Sequence, residues 1–198
     1  DVGILGGDRV ARCSYANARA AAICGTDIDA LVGSSFLQWI HGDDHDRVVE
    51  AWLRTVTTGA DLDVEVRIVR PDGGERWCRV QASLIDRTGR RAMSVVGAME
   101  DITEARSARL LVESMQARFS AAFTGSPIAS ALTTMTGTLE DQNPAWIALA
   151  GDHALAGTDL RDVVHPDHSA EIDGLLARVA VSPDRSAPVE VRLTGNDG

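Results

Sequence analysis

The stretch VEVRIVRPDGGERW at residues 64–77 decides the fold. From residue 62 to residue 68 apolar side chains alternate with charged ones, which is the two-residue period of a strand with one buried face. The Pro-Asp-Gly-Gly turn that follows predicts a hairpin into a second strand over residues 76–85. A turn at residues 87–89 and a third strand over residues 93–99 continue the pattern. The sequence therefore predicts consecutive strands joined by tight turns.

The segment before this hairpin predicts two more strands and two helices. The strands cover residues 2–5 and 10–15, and the first helix is capped by Asn17 and ends before Gly25. A longer helix is predicted over residues 43–57. Its apolar residues recur at helical spacing: Val48, Val49, Trp52, Leu53 and Val56.

The same landmarks occur twice along the chain, in the same order. The paired landmarks are separated by 124 to 126 residues: Asn17 and Asn143, His41 and His165, Glu65 and Glu190. A duplicated domain with slightly different loop lengths produces such a drift. The sequence therefore predicts two consecutive copies of one domain.

The second copy is predicted to be incomplete. It starts at Ile128 and contains a predicted strand at residues 189–193, followed by the Asp197-Gly198 turn, so we expect it to lack its last two strands. The chain begins at Asp1 rather than at Met, and we expect it to be a fragment of a larger protein.

The negative net charge disfavours nucleic acid and anionic membranes as binding partners. Acidic residues outnumber basic ones by 29 to 19, every basic residue is arginine, and the net charge is −10. Such a chain lacks the basic surface that binds nucleic acid or anionic membranes. No apolar run reaches the roughly 20 residues of a membrane span. We therefore expect no nucleic acid partner and no membrane contact in this fragment.

The reactive residue types do not predict an active site. Cys13, Cys24 and Cys78 form no C-x-x-C pair, which indicates reduced thiols in a cytoplasmic protein and argues against structural zinc. No Ser-His-Asp or Cys-His set accompanies a glycine elbow, and no lysine is present for Schiff-base chemistry. We expect the fragment itself not to be an enzyme.

Motifs in both copies resemble the PAS (Per-Arnt-Sim) family. In the first copy they are the start of the helix at Asn17, G-x7-HGDD at residues 33–44, the hairpin at residues 65–77 and GAMEDITE at residues 97–104. In the second copy they are FSAAFTGSPI at residues 119–128, Asn143 and VVHPDH at residues 163–168. The resemblance implies an α+β fold in which a five-stranded antiparallel sheet carries short helices on one face.

The resemblance also implies the domain organisation. The first PAS domain is expected at residues 1–102, a connecting signalling helix at residues 103–123, and a second PAS domain without its carboxyl-terminal strands at residues 124–198. In the family the sheet and helices enclose a small pocket that holds either a ligand or only side chains. The residues expected to line it are Phe36, Trp39, Ile40, Trp52, Val64, Val66, Ile68 and Val80.

The sequence contains no motif that requires a cofactor, and haem and flavin are both compatible with it. Ser35 stands before Phe36 where the flavin-binding light sensors of the family need a cysteine, so adduct photochemistry is excluded. His41 and His45 are four residues apart, a spacing that suits a metal or haem iron. Their acidic neighbours favour a solvated helix start instead, so no metal site is predicted.

The junction after the first copy is the expected signal relay. Asp101, Ile102 and Thr103 match the family motif that passes a conformational change to the next helix, and Glu104 is placed to complete a capping box with Asp101. After it, apolar residues recur at spacings of three and four along the helix: Ala108, Leu111, Met115, Phe119 and Ala122.

The apolar stripe and one tryptophan are the candidate contact residues. Leu111, Met115 and Phe119 would meet a partner helix in a homodimer or pack on the chain's own domains. Trp77 is predicted on the outer face of its strand, against the linker helix or a second protomer, or in a cross-strand pair.

The sequence thus predicts a sensory and dimerisation input module of a bacterial signal-transduction protein in the cytoplasm. The attached output domain is expected to synthesise or hydrolyse cyclic di-GMP, with a histidine kinase as the next choice; both follow from the resemblance alone. A haem- or flavin-loaded redox or gas sensor is the alternative.

Overall fold

The computed structural model describes residues 2–86, 88, 94–151, 154–181 and 188–194. Most of the predicted turn at 87–89, the first residue of the strand predicted at 93–99 and the Asp197-Gly198 turn lie outside the described residues. Two compact units are present, Asp1–Leu111 and Val112–Gly198. The division falls inside the helix that the sequence predicts as a separate linker at residues 103–123.

The first unit contains a five-stranded antiparallel sheet, as predicted. The strands pair in the order β2-β1-β5-β4-β3. Their bounds are β1 Gly3–Gly7, β2 Cys13–Ala16, β3 Leu62–Val69, β4 Glu75–Leu84 and β5 Val95–Asp101. The predicted alternation is confirmed in β3, where Val66 and Ile68 are buried and Glu65 is exposed.

Short helices connect β2 to β3. They are α1 Ala18–Cys24, α2 Ile28–Leu31, 3-10 turns at Phe36–Trp39 and Gly42–Asp44, and α3 His45–Thr58. Asn17 caps α1 by accepting a bond from the Ala20 amide, and Gly25 ends it at φ 68°, so both predicted helix signals are confirmed.

The longer helix differs from its prediction in two respects. It begins at His45 rather than at residue 43, because the residues before it form a 3-10 turn. Of its apolar residues, Val48 and Val56 are buried, whereas Val49 and Leu53 are 37% and 54% exposed. The residues that face the core are spaced four apart, and a position one residue further on is turned about 100° away from it.

Strand β3 is an edge strand, and the segment before α3 covers its open side. Ile40 bridges to Ile68, and the His41 amide donates to the Arg67 carbonyl at 2.9 Å. The Asp44 carboxylate accepts bonds from the Arg67 amide at 2.9 Å and from Arg67 Nε at 3.1 Å. Arg47 donates a further bond to Asp44 at 3.2 Å. The buried carboxylate thus fixes the start of α3 to the edge of the sheet.

After β5 the chain forms one long helix, α4, Thr103–Gly125. No residue of this range, all of which the structure describes, is buried. The sequence has no proline or glycine between the start of the helix and Gly125, which explains why the helix is continuous.

The second unit repeats the first half of the fold. Asn143 caps the first helix of this unit, as Asn17 does in the first unit. Leu139, Ala150, Ala154 and Val163 form its core. The elements are β6 Ala131–Thr133, β7 Leu139–Gln142, α5 Pro144–Ala150, α6 Leu160–Val163, a 3-10 turn at Pro166–His168 and α7 Ser169–Val181.

The strand predicted at residues 189–193 is wrong for the residues that the structure describes. Residues 188–194 form a single β-bridge, between Leu193 and Val164, and no strand. A strand needs a hydrogen-bonded neighbour along its length. The equivalent segment of the first unit pairs with β4, and no counterpart of β4 is among the described residues of the second unit.

The Asp44 cluster predicts an acid-sensitive contribution to stability. Hydrogen bonds from Arg67 lower the pKa of Asp44 from 3.8 to about 2. A carboxyl group with a lowered folded-state pKa stabilises the fold above its unfolded pKa, and this contribution is lost as the pH falls towards 2. We expect Asp44→Asn to lower the free energy of unfolding at pH 7 by about 2 kcal/mol and to flatten its pH dependence between about pH 4 and pH 2.

Urea unfolding followed by circular dichroism across that range measures both effects. Asp43→Asn is the matched control, because the Asp43 side chain is 73% exposed and its bond to Arg67 is longer, at 3.3 Å. Equal losses in the two variants would contradict the role given to Asp44.

Candidate functional site

The core of the first unit encloses a cavity of about 80 Å³ between the sheet and the helices. Strands β3 and β4 supply one wall, and the 3-10 turn at Phe36–Trp39 with helix α3 supplies the other. Strands β1 and β5, with Cys24 and Leu31, contribute the rest of the lining. The structure places all eight of the predicted pocket residues in this lining: Phe36, Trp39, Ile40, Trp52, Val64, Val66, Ile68 and Val80.

The cavity wall is apolar because the polar atoms near it are bonded elsewhere. The indole N–H of Trp39 donates to Ser34 Oγ at 3.1 Å, and that of Trp52 donates to the Arg9 carbonyl at 3.1 Å. Phe36 meets Trp52 edge to face, with ring centroids 6.2 Å apart. The lining therefore presents carbon and sulfur atoms to the cavity.

The thiol of Cys24 is the one ionisable group in the lining. Burial raises its pKa to about 11, and the nearby Arg70 guanidinium lowers it by less. Cys78 is affected in the same way, with a pKa raised to about 12 by burial. At neutral pH the Cys24 thiol is therefore protonated, uncharged and a poor nucleophile.

The residues around the cavity do not fit haem or flavin. A small-molecule or cofactor site usually has about 300–1,000 Å³, and a flavin also needs polar groups for its ring edge. The two histidines whose spacing suits a metal flank the 3-10 turn before α3. His41 Nδ1 accepts from the Asp43 amide, and His45, the first residue of α3, contacts the Ile40 carbonyl through Nε2. Neither lines the cavity. Among the described residues no group of three or more metal-ligating side chains occurs.

The predicted relay lies where β5 passes into α4. The Thr103 amide donates to Asp101 Oδ1 at 3.0 Å, and Thr103 Oγ1 accepts from the Trp77 amide at 3.0 Å. The Ile102 amide donates to the Trp77 carbonyl at 2.8 Å. These bonds fix the first turn of α4 to strand β4.

Asp101 behaves as a cap, whereas Glu104 does not. Burial raises the pKa of Asp101, but the bonds from Thr103 and the charge of Arg76 outweigh it, so the net shift is downward. Among the described contacts, Glu104 is exposed and makes no return bond to Asp101. The capping box is therefore wrong in its Glu104 half, because the place of that bond is taken by pairing with β4.

Trp77 lies on the outer face of the sheet, between two arginines. The Arg106 guanidinium carbon of α4 lies 3.9 Å from the ring centroid, and that of Arg67 lies 5.6 Å from it. Arg106 also pairs with Glu65 at 3.0 Å. Trp77 therefore makes two of the predicted contacts at once, one with the helix through Arg106 and one with its cross-strand neighbour Arg67.

Arg67 and Arg106 are not among the residues predicted from the sequence. Arg67 could have been found, because residues 67 and 77 face each other in the predicted hairpin. Arg106 could not, because its position over the ring depends on the direction in which α4 leaves the sheet.

The residues predicted for the dimer contact are exposed. Leu111 and Met115 are each 62% exposed, and Phe119 is 54% exposed. Phe119 stacks on Phe123 with ring centroids 5.6 Å apart. The stripe therefore presents free apolar surface in this structure.

Two family comparisons match the chain in separate places. The family described as "PAS fold" matches residues 14–99, and that described as "PAS domain" matches residues 117–181. The chain belongs to the PAS family. Its two copies are a PAS tandem, and a PAS tandem is a sensory and signalling module.

Relatives of this PAS tandem are distant. The uncharacterized protein y4lL of Sinorhizobium fredii is 28% identical over 138 residues, which are 69% of this chain but 17% of that protein. The chain thus spans less than a fifth of this relative. No helix among the described residues is long and apolar enough to span a bilayer.

Among solved structures, a sensory box histidine kinase/response regulator from Burkholderia thailandensis is similar at 20% identity and a TM-score of 0.48. That match covers 60% of this chain and 90% of the solved one. A PAS domain of a protein from Colwellia psychrerythraea is similar at 16% identity and a TM-score of 0.46, over 52% of this chain and 87% of that one.

The burial of all three cysteines predicts slow thiol chemistry. We expect none of them to react at a measurable rate with an aromatic disulfide reagent at pH 8 in the native protein, because the thiols are covered and remain protonated. Unfolding in guanidinium should release all three. Val49→Cys, on the exposed side of α3, is the positive control for native reactivity. A wild-type thiol that reacted as fast as this control would contradict the burial of the three cysteines.

Proposed function

We propose that the chain is the sensory input of a bacterial signal-transduction protein, and that a small uncharged apolar molecule is sensed in the cavity of the first PAS domain. The observation that supports this most directly is the cavity itself, which has about 80 Å³ of space and an apolar lining. Unfilled space of this kind costs packing energy, so an occupant that fills it stabilises the domain.

The chemistry of the wall selects the class of ligand. A charged or strongly polar ligand would lose its hydration without gaining hydrogen bonds, at a cost of several kcal/mol. A cavity of about 150 Å³ lined by aliphatic and aromatic side chains stays dry and takes up benzene or xenon. The smaller cavity of this domain favours ligands of only a few heavy atoms. The same features disfavour the haem or flavin alternative.

Xenon is the probe that tests the cavity. We expect xenon pressure to raise the thermal midpoint of unfolding and to shift the NMR signals of methyl groups that line the cavity, such as those of Ile68 and Met99. Val80→Phe should abolish both effects by filling the space. If the Phe variant does not fold, Val80→Ile is the variant to measure, and it should weaken both effects. Val49→Ile on the helix surface is the control.

Xenon shifts spread evenly over the surface, or shifts that persist in both Val80 variants, would overturn the proposal for this cavity.

We further propose that the PAS tandem acts as a homodimer through α4. Leu111, Met115 and Phe119 form an exposed apolar stripe at spacings of four, which suits a parallel helix pair. Burying these three side chains against a second copy would remove their apolar surface from water, which is the main favourable term in association.

Sedimentation of the full chain tests this contact. We expect a dimer at tens of micromolar, as an order of magnitude for a weak association, and a monomer for Met115→Glu because a carboxylate would be buried in the seam. Ala117→Glu places the same charge on the opposite side of α4 and should remain dimeric. A wild-type monomer at high concentration would contradict the proposal.

The output domain is also a proposal. Resemblance of the Phe119–Ile128 phrase to segments that precede cyclic-di-GMP domains favours an enzyme of cyclic-di-GMP synthesis or hydrolysis, with a histidine kinase second. We propose that this chain regulates that domain in the cytoplasm and has no catalytic role of its own.

A further inference from the structure

The segment that covers the β3 edge of the sheet connects the cavity wall to the outer sheet face. Trp39 and Ile40 line the cavity, and the next residues turn around the edge of β3 to reach Asp44. There the His41 amide and the Asp44 carboxylate are bonded to the backbone of Arg67. A shift of the cavity wall therefore acts directly on Asp44 and on its partner.

The Arg67 side chain continues the path on the outer face. Its Nε atom donates to Asp44 Oδ2 at 3.1 Å, one of its terminal nitrogens donates to Asp44 Oδ1 at 3.2 Å, and its guanidinium lies 5.6 Å from the Trp77 ring centroid. The buried Asp44 carboxylate thus fixes the position and orientation of the Arg67 guanidinium. The same guanidinium lies near the Trp77 ring.

Arg106 brings the path to helix α4. Its guanidinium is 3.9 Å from the same ring, and it pairs with Glu65 Oε2 at 3.0 Å. Arg47 of α3 provides a second connection between Asp44 and β3, because it donates to Asp44 at 3.2 Å and to the Glu65 carbonyl at 2.7 Å. Both routes start at Asp44 and reach the residues that hold Arg106.

We infer that Arg67 and Trp77 are positioning residues that couple the cavity wall to the first turns of α4, through the path from Asp44 over Arg67 and Trp77 to Arg106. This path runs through the Trp77 ring, whereas the Asp101–Thr103 junction is bonded to the Trp77 backbone. The biological meaning of the coupling rests on the proposed sensory function. The coupling itself is a property of the free protein.

The physical basis is that two cations share one ring. Each guanidinium is attracted by the electron-rich ring, while the two positive charges repel each other. Asp44 and Glu65 neutralise the repulsion, one on each arginine. If the start of α3 moves and Asp44 releases Arg67, that charge keeps only its pair with the exposed Asp43 carboxylate, at 3.3 Å. It is then less well compensated beside Trp77, and the place of Arg106 over the ring becomes less favourable.

The experiment removes Asp44 and observes Arg106, which Asp44 does not contact. Protons on the Arg106 side chain lie over the indole ring and should have upfield NMR shifts in the wild type. We expect Asp44→Asn to move these shifts downfield and to speed amide exchange at residues 106–111 by about threefold or more, in the range that a weakened cation-π contact gives. In a Trp77→Leu background, Asp44→Asn should change neither quantity.

The controls separate coupling from general destabilisation. Asp61→Asn changes the carboxylate that accepts from Ser83 Oγ at 2.7 Å and should leave Arg106 unchanged. In an Arg67→Gln background, which lacks the charge that Asp44 compensates, Asp44→Asn should not move the Arg106 shifts. Asp44→Asn with lowered stability but unchanged Arg106 shifts would overturn the inference, as would an equal response to Asp61→Asn.

Xenon distinguishes this inference from the proposed function. An Arg106 response to Asp44→Asn in a protein that takes up no xenon would support the coupling and overturn only the proposed ligand. Xenon uptake in a protein whose Arg106 is insensitive to Asp44→Asn would support the sensory cavity and overturn the coupling.

Discussion

The contact between the Asp44 carboxylate and Arg67 is the interaction on which the first domain depends. β3 is the edge of the sheet, and an uncovered edge leaves backbone donors and acceptors open to other chains. The turn before α3 covers this edge, and Asp44 binds both the backbone and the side chain of Arg67. Because Trp39 and Ile40 line the cavity and directly precede this turn, the same contact determines the position of the helical wall of the cavity.

The cavity persists because its surroundings cannot collapse into it. At one end Phe36 lies so close to Gly7 that an added Cβ would stand 2.8 Å from the ring, and an added Cβ on Gly97 would stand 2.9 Å from the Gln81 carbonyl. Sheet and aromatic rings are therefore already in contact around the space. Side chains in a close-packed wall of this kind move only at the cost of contacts elsewhere. An occupant of the right size needs no such movement.

Sequence reasoning predicted features that repeat along one element and missed those that join elements. The period-two pattern around Val66 and the cap at Asn17 are local, so strand faces and helix starts could be predicted from them. The cavity lining was predicted from the resemblance to the PAS family. The stack of Arg106 on Trp77 depends on the exit direction of α4. The lack of a strand at residues 189–193 depends on a neighbouring strand that is not among the described residues. Glu104 failed for a related reason, since Thr103 pairs with β4 instead of starting a free-standing capping box.

Contacts at its two ends account for only part of the stability of helix α4. Its start is bonded to Trp77, and near its end the Phe123 carbonyl accepts a bond from Asn143 Nδ2 at 3.1 Å, in each case within one compact unit. Most helical stability in proteins comes from packing an apolar face, yet no residue of Thr103–Gly125 is buried. Two anchors order the first and last turns, not the turns between them. The middle of the helix, where the stripe lies, therefore gains most from a partner, and a change at Arg106 acts on the turns that lead into it.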